Sequence, residues 1–178
     1  MKKIFILSII INLIFSLYVF KAFADTNVEL SSRAVSYLAA RQDLNGQIDS
    51  PSITDWTILA KVASGQSIDD NLLNNLKNRI GSTAEVSLTD LERMALAVIA
   101  SGNNPSTFNN VDLITKIKAR AVNNQLGSTA FVNDDIFGVL ALVASNQPIN
   151  DPIIANSLLY ISGSQRADGA FGLTTSGA

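Results

Sequence analysis

Asp134 and Asp135 stand side by side in Val132-Asn133-Asp134-Asp135, and Asp90 and Glu92 lie close together in Thr89-Asp90-Leu91-Glu92. Carboxylates can carry general acid–base chemistry where imidazole is missing. It is missing here, because the 178 residues contain no histidine and no cysteine. That removes a thiol nucleophile, a Ser-His-Asp device, the usual zinc ligands and an axial imidazole for a corrinoid or haem. No metal and no cofactor is therefore expected, and Asp134 and Asp135 are the catalytic candidates. As a glycosidase dyad they fit poorly. An inverting enzyme needs carboxyls roughly 6.5–9.5 Å apart, whereas neighbours in one helical turn point in different directions. A structural reading covers every acidic site: Thr54-Asp55, Thr89-Asp90-Leu91-Glu92 and Asn133-Asp134-Asp135 each open an apolar run, where a carboxylate caps free N–H groups and opposes the helix dipole. Trp56 and Phe137 occupy comparable places in two of these runs and are the ligand-binding candidates, as walls of a pocket between helices. Filling the core is their other reading.

Two kinds of helix must position these residues. Apolar residues make up 47% of the chain and charged residues 16%, the balance of a folded globular protein. Trp56–Ala63, Met94–Ala100 and Ile136–Ala144 are apolar nearly all round, which predicts helices covered on both sides. The capping-box pattern Thr89-Asp90-Leu91-Glu92 marks one start. Between them lie amphipathic stretches: Leu30, Ala34, Tyr37 and Leu38; Leu72, Leu73, Leu76 and Ile80; Val111, Ile114, Ile117 and Ala121; Ile153, Ile154, Ser157, Leu158 and Ile161. Alternation of the two kinds predicts two layers, with the apolar helices inside.

The three apolar runs end in Ala63-Ser64-Gly65, Ala100-Ser101-Gly102 and Ala144-Ser145-Asn146, and the amphipathic ones near Gly46, Gly81, Gly127 and Gly169. Both markers give a period of roughly 40 residues, that of a helix-pair repeat. Left-handed backbone is expected at these small residues, so an added methyl at Gly169 should be costly. Gly138 falls inside an apolar helix, where alanine should stabilise.

Residues 1–24 read as a signal peptide: Lys2 and Lys3, then an apolar stretch from Ile4 to Phe20, then Ala22-Phe23-Ala24. An uncleaved N-terminal membrane anchor is the alternative. Either places residues 25–178 outside the cytoplasm, as a secreted, periplasmic or cell-surface domain. The segment takes Lys2, Lys3 and Lys21 with it and no acid, so the remainder is more acidic than the whole chain's net charge of −2. Nucleic acid is not an expected partner, since it needs a basic footprint. A membrane is one only through an uncleaved N-terminus.

Gln42-Asp43-Leu44-Asn45-Gly46-Gln47-Ile48 and Gln165-Arg166-Ala167-Asp168-Gly169-Ala170-Phe171 share the form Q-x-x-[ND]-G-x-apolar, with Tyr37 and Tyr160 five positions before each Gln. The pattern resembles the QW-type repeat of the terpenoid cyclase and protein prenyltransferase α/α-toroid superfamily, the prenyltransferase and squalene oxidase repeat. The resemblance spans residues 25–178, although only two of four repeats carry the Gln and Ile48 replaces an aromatic. It implies an all-α fold of about four helix pairs in two concentric layers, an arc expected to be incomplete at its C-terminus and to self-associate through open ends. It implies structural roles for Gln42, Gly46, Gln165, Gly169 and Phe171, with the Gln tying helix ends.

The superfamily's class II cyclases protonate alkenes with D-x-D-D. Here Asp134 and Asp135 match its last two members, and Val132 stands where the first Asp belongs. Zinc prenyltransferases use Cys and His, which this chain lacks. The implied function is an exported, non-catalytic module that binds or scaffolds an unknown protein or small molecule. The alternatives are a cyclase-like or carbohydrate-active enzyme using Asp134 and Asp135, or a carrier of a small apolar or corrinoid ligand.

Overall fold

The computed structural model describes residues 28–82 and 85–172. The segment expected to be a signal or anchor, Thr83 and Ala84, and the last residues of the chain lie outside them. The chain divides into two units at Arg41/Gln42.

In the first unit a helix runs over 28–39 (α1). Val35 is its buried residue, whereas Leu30, Ala34 and Tyr37 of the expected stripe are exposed. Tyr37 instead holds Arg41, whose guanidinium lies 5.5 Å from the ring centroid.

Among its described residues the second unit is all-α apart from one hairpin: α2 (Pro51–Ala63), α3 (Asp70–Ile80), α4 (Leu88–Ala100), a short 3-10 turn at Phe108–Asn110, α5 (Leu113–Lys118), strands β1 (Ala121–Val122) and β2 (Gln125–Leu126), α6 (Val132–Ala144) and α7 (Pro152–Gly163). Helix α4 packs between α2 and α6, making the three apolar helices one row. Helices α3, α5 and α7 cover that row through Leu72, Leu76, Leu113, Ile117 and Ile154, all essentially inaccessible to solvent. Among the described residues no helix is long and apolar enough to cross a membrane.

The three apolar helices share a pattern of hydrogen bonds. Helices α2, α4 and α6 each have 13 residues. Each ends the same way. Gly65, Gly102 and Asn146 take φ of +74°, +76° and +63°. The N–H groups of Gln66, Asn103 and Gln147 then reach back to the carbonyls of Lys61, Val98 and Leu142 at 2.8, 3.1 and 3.0 Å, a Schellman closure that satisfies carbonyls the helix leaves open. The two Gln motifs also share a geometry, since Gln42 bridges Ile48 and Gln165 bridges Phe171. In the third repeat β1 and β2 take this place. Their turn is Asn123-Asn124, both at positive φ, the two-residue type that matches strand twist.

Several local expectations fail. Gly81 has φ −78° and caps α3 in ordinary helical backbone. Gly127 is left-handed but follows the hairpin rather than making it. The third amphipathic helix stops at Lys118, so Ala121 lies in β1. Full cover holds best for α4. Helices α2 and α6 leave Trp56, Leu140 and Val143 about half exposed, because each has α4 on one side only within the row. Helix α7 likewise exposes Leu158 and Leu159.

The acids that open the apolar helices are not their caps. Ser50 and Ser87 cap α2 and α4, and α6 has no side-chain cap bond. The side-chain cap of α4 is Ser87 and not the Thr89–Glu92 pattern: the Ser87 hydroxyl accepts from the Asp90 N–H at 3.2 Å and donates to its carboxylate at 2.7 Å. Aspartates cap the other layer instead, as Asp69, Asp112 and Asp151 accept N–H bonds at the starts of α3, α5 and α7.

Gly138 is the sharpest reversal. A Cβ there would overlap Leu126 Cδ1 and come within 2.8 Å of Glu92 Oε1, so two long side chains use the space that alanine would fill. Gly138→Ala should lose about 1–3 kcal/mol through overpacking, read as a lower midpoint in urea unfolding.

Candidate functional site

Asp55 is the fifth residue of α2, and its carboxylate is fully buried. Two guanidinium groups hold it. Arg79 of α3 donates Nη1 to Oδ2 at 3.2 Å and Nη2 to Oδ1, while Arg93 of α4 donates Nε to Oδ2 at 3.2 Å. Arg93 Nη2 also pairs with Asp90, and Arg79 Nε donates to Asn75 Oδ1 at 2.9 Å. The Asn75 amide in turn donates to the Asn45 carbonyl at 3.1 Å, which ties the first Gln motif to α3. Partial burial pushes the Asp90 carboxyl up, but bonds from Ser87 and Arg93 and the nearby Arg79 charge outweigh it and hold it below the usual range.

These side chains form the wall of an open cleft of about 710 Å³ between the N-terminal ends of α2 and α4 and the C-terminal half of α3. Arg79, Arg93, Asp90 and Asn78 supply polar groups, and Pro51 and Val86 supply apolar surface. None of its lining residues was a catalytic or ligand-binding candidate, although Asp90 belongs to one of the acidic helix starts. No local pattern marks Arg79 and Arg93 as the cleft's wall.

The sequence candidates fall elsewhere. Trp56 and Phe137 do come together, edge to face with centroids 5.8 Å apart. The rings pack on each other, and neither lines the cleft. Of the motif residues, Gln42 donates to Asp69 at 2.9 Å, tying its loop to the start of α3, while Gln165 turns back to the Gly169 carbonyl at 3.0 Å. Gly46 and Gly169 both lie at positive φ, and Phe171 is partly exposed. A Cβ on Gly46 would strike the Asn71 carbonyl, so this turn needs glycine both for its dihedral and for its packing.

Asp134 and Asp135 hold structure together. Thr89 Oγ1 donates to Asp134 at 2.9 Å, joining α4 to α6, and the Asp134 side chain sits over Gly127. Asp135 is fully buried and accepts from Gln125 Nε2 at 3.0 Å and from the Leu126 N–H at 3.2 Å. Thr54, the fourth residue of α2 as Asp135 is of α6, accepts the Ile48 N–H at 2.8 Å. Both residues therefore hold the inward apolar residue of the preceding turn. Burial pushes the Asp135 carboxyl up despite these bonds and the one from Ser157, and Asp134 adds to the rise.

Glu92 is the group that local pattern missed. It is fully buried, and neither carboxyl oxygen has a partner among the described residues. Burial first, then the charges of Asp134 and Asp135, push it up to about 9, so at neutral pH it is a neutral acid. Among the described residues no group of three or more acids is placed to hold a metal ion. No family model matches the chain, and no curated protein or solved structure matches it.

Glu92 sets a pH dependence. The folded state keeps its proton up to about pH 9, while the unfolded chain releases it near the ordinary value of 4.5. Its contribution is therefore complete below the unfolded value and declines as pH rises through that window. Glu92→Gln abolishes the decline. Between pH 5 and 8 the wild type should lose about 1 kcal/mol per pH unit relative to this variant, measured by urea unfolding across pH.

Proposed function

We propose that this chain is an exported module of the α/α-toroid type, related to the terpenoid cyclase and prenyltransferase repeats, that binds or scaffolds and does not catalyse. It works outside the cytoplasm, secreted, periplasmic or at the cell surface, with a small molecule or a protein as its ligand. The observation that carries this reading is the equivalence of Asp135 and Thr54. An acid that does the structural work of a threonine one repeat away, with its oxygens spent on Leu126 and Gln125, is not poised to donate a proton to a substrate. Asp134 is similarly engaged by Thr89. The cleft walled by Arg79 and Arg93 supplies the binding surface, of a size ordinary for small-molecule sites.

Asp135→Thr tests the reading. The hydroxyl can still accept the Leu126 N–H and the buried carboxyl is gone, so stability should stay within about 1 kcal/mol of wild type. The full chain incubated with farnesyl diphosphate, or with a soluble polysaccharide, should return each unchanged by mass spectrometry. Turnover of either that Asp135→Thr abolishes at an unchanged melting temperature would overturn the proposal.

A further inference from the structure

We infer that the cleft between α2, α3 and α4 takes a neutral, hydroxyl-rich ligand, a saccharide of about one or two rings; this rests on the binding reading above. The argument begins with charge. Asp55 and Asp90 match Arg79 and Arg93 one for one, and Glu85 adds a negative charge at the rim. The cleft thus offers an anion no excess of positive charge, although two arginines line it.

The cleft does offer fixed hydrogen-bonding groups of both kinds. A guanidinium carries five N–H donors. Arg79 uses three of them, on Asp55 and Asn75, and Arg93 uses two, on Asp55 and Asp90. The rest have no partner among the described residues. Both Arg side chains are mostly buried, and the fully buried Asp55 pins them, so the guanidinium groups are held in place before a ligand arrives. Asp90 is only partly buried and keeps acceptor capacity, and the exposed Asn78 amide supplies a donor and an acceptor without a partner among the described residues. A ligand that meets donors and acceptors side by side is best served by groups that do both, which is what a hydroxyl does. Groups already polarised in a network bond more strongly through cooperativity. Pro51 and Val86 add apolar surface to this wall, a place for the C–H face of a sugar ring.

The test titrates the full chain with cellobiose, maltose and diacetylchitobiose, using saturation-transfer NMR and calorimetry, with acetate, inorganic phosphate and trialanine as the competing classes. Binding of at least one disaccharide is expected. Asn78→Trp, which fills the cleft from its wall, should weaken it by at least about tenfold at an unchanged melting temperature, and Asn78→Ala should weaken it less. Three results overturn the inference: no disaccharide binds, the Asn78 variants leave binding unaltered, or acetate, phosphate or trialanine binds in the cleft instead. In the last case the saccharide assignment fails while the binding reading survives. If none of the probes binds and the chain proves to turn over a substrate, both fail.

Discussion

The carboxylate of Asp55 is the constraint on which much of the rest depends. It lies out of water with a guanidinium from each of two other helices upon it. A buried ion pair adds little net stability over a well-packed apolar substitute, but breaking one is costly because the partners stay behind unpaired. Its consequence here is geometric. Helices α2, α3 and α4 cannot shift independently while Arg79 and Arg93 share one acceptor. Through Arg79, Asn75 and the Asn45 carbonyl, the same network reaches the turn of the first Gln motif. The cleft has its shape because this wall is fixed.

One register position shows how a repeat can differentiate. The fifth residue of the three 13-residue apolar helices is Asp55, Glu92 and Ile136. In α2 it meets two cations and forms the ion-pair network. In α4 it meets none, and two acids lie nearby, so burial holds it neutral. In α6 it is plain hydrocarbon. The sixth position varies likewise as Trp56, Arg93 and Phe137. Its two aromatic members pair edge to face, and Arg93 between them in the repeat serves the cleft. The helix ends that build the repeat stay constant, and chemistry is confined to a few positions near the starts.

What was legible in the residue order was what local backbone physics enforces. The Ala-Ser-[Gly/Asn] endings encode left-handed closures, and three of them appear. The alternation of apolar and amphipathic segments gave the two layers. The acids were misread because their partners are remote. Asp55 finds Arg79 and Arg93 at 24 and 38 positions' distance, and no local pattern carries that pairing. Gly138 failed for the same reason, since the side chains over it come from β2 and α4. The Asn123-Asn124 turn has a local signal, two residues that tolerate positive φ, but the glycine period points to Gly127 instead. The cleft was invisible, because an arginine looks alike in the sequence whether it faces water or a carboxylate buried on another helix.

Equilibrium unfolding of Asp55→Asn, with amide hydrogen exchange followed segment by segment, tests the central claim most directly. If Asp55 sets the wall, this isosteric change costs about 3 kcal/mol or more, and protection falls first and together in α2, α3 and the start of α4 while α6 and α7 keep theirs. A loss under about 1 kcal/mol, the size of an exposed ion pair, or a loss of protection spread evenly over all the helices, would contradict the account.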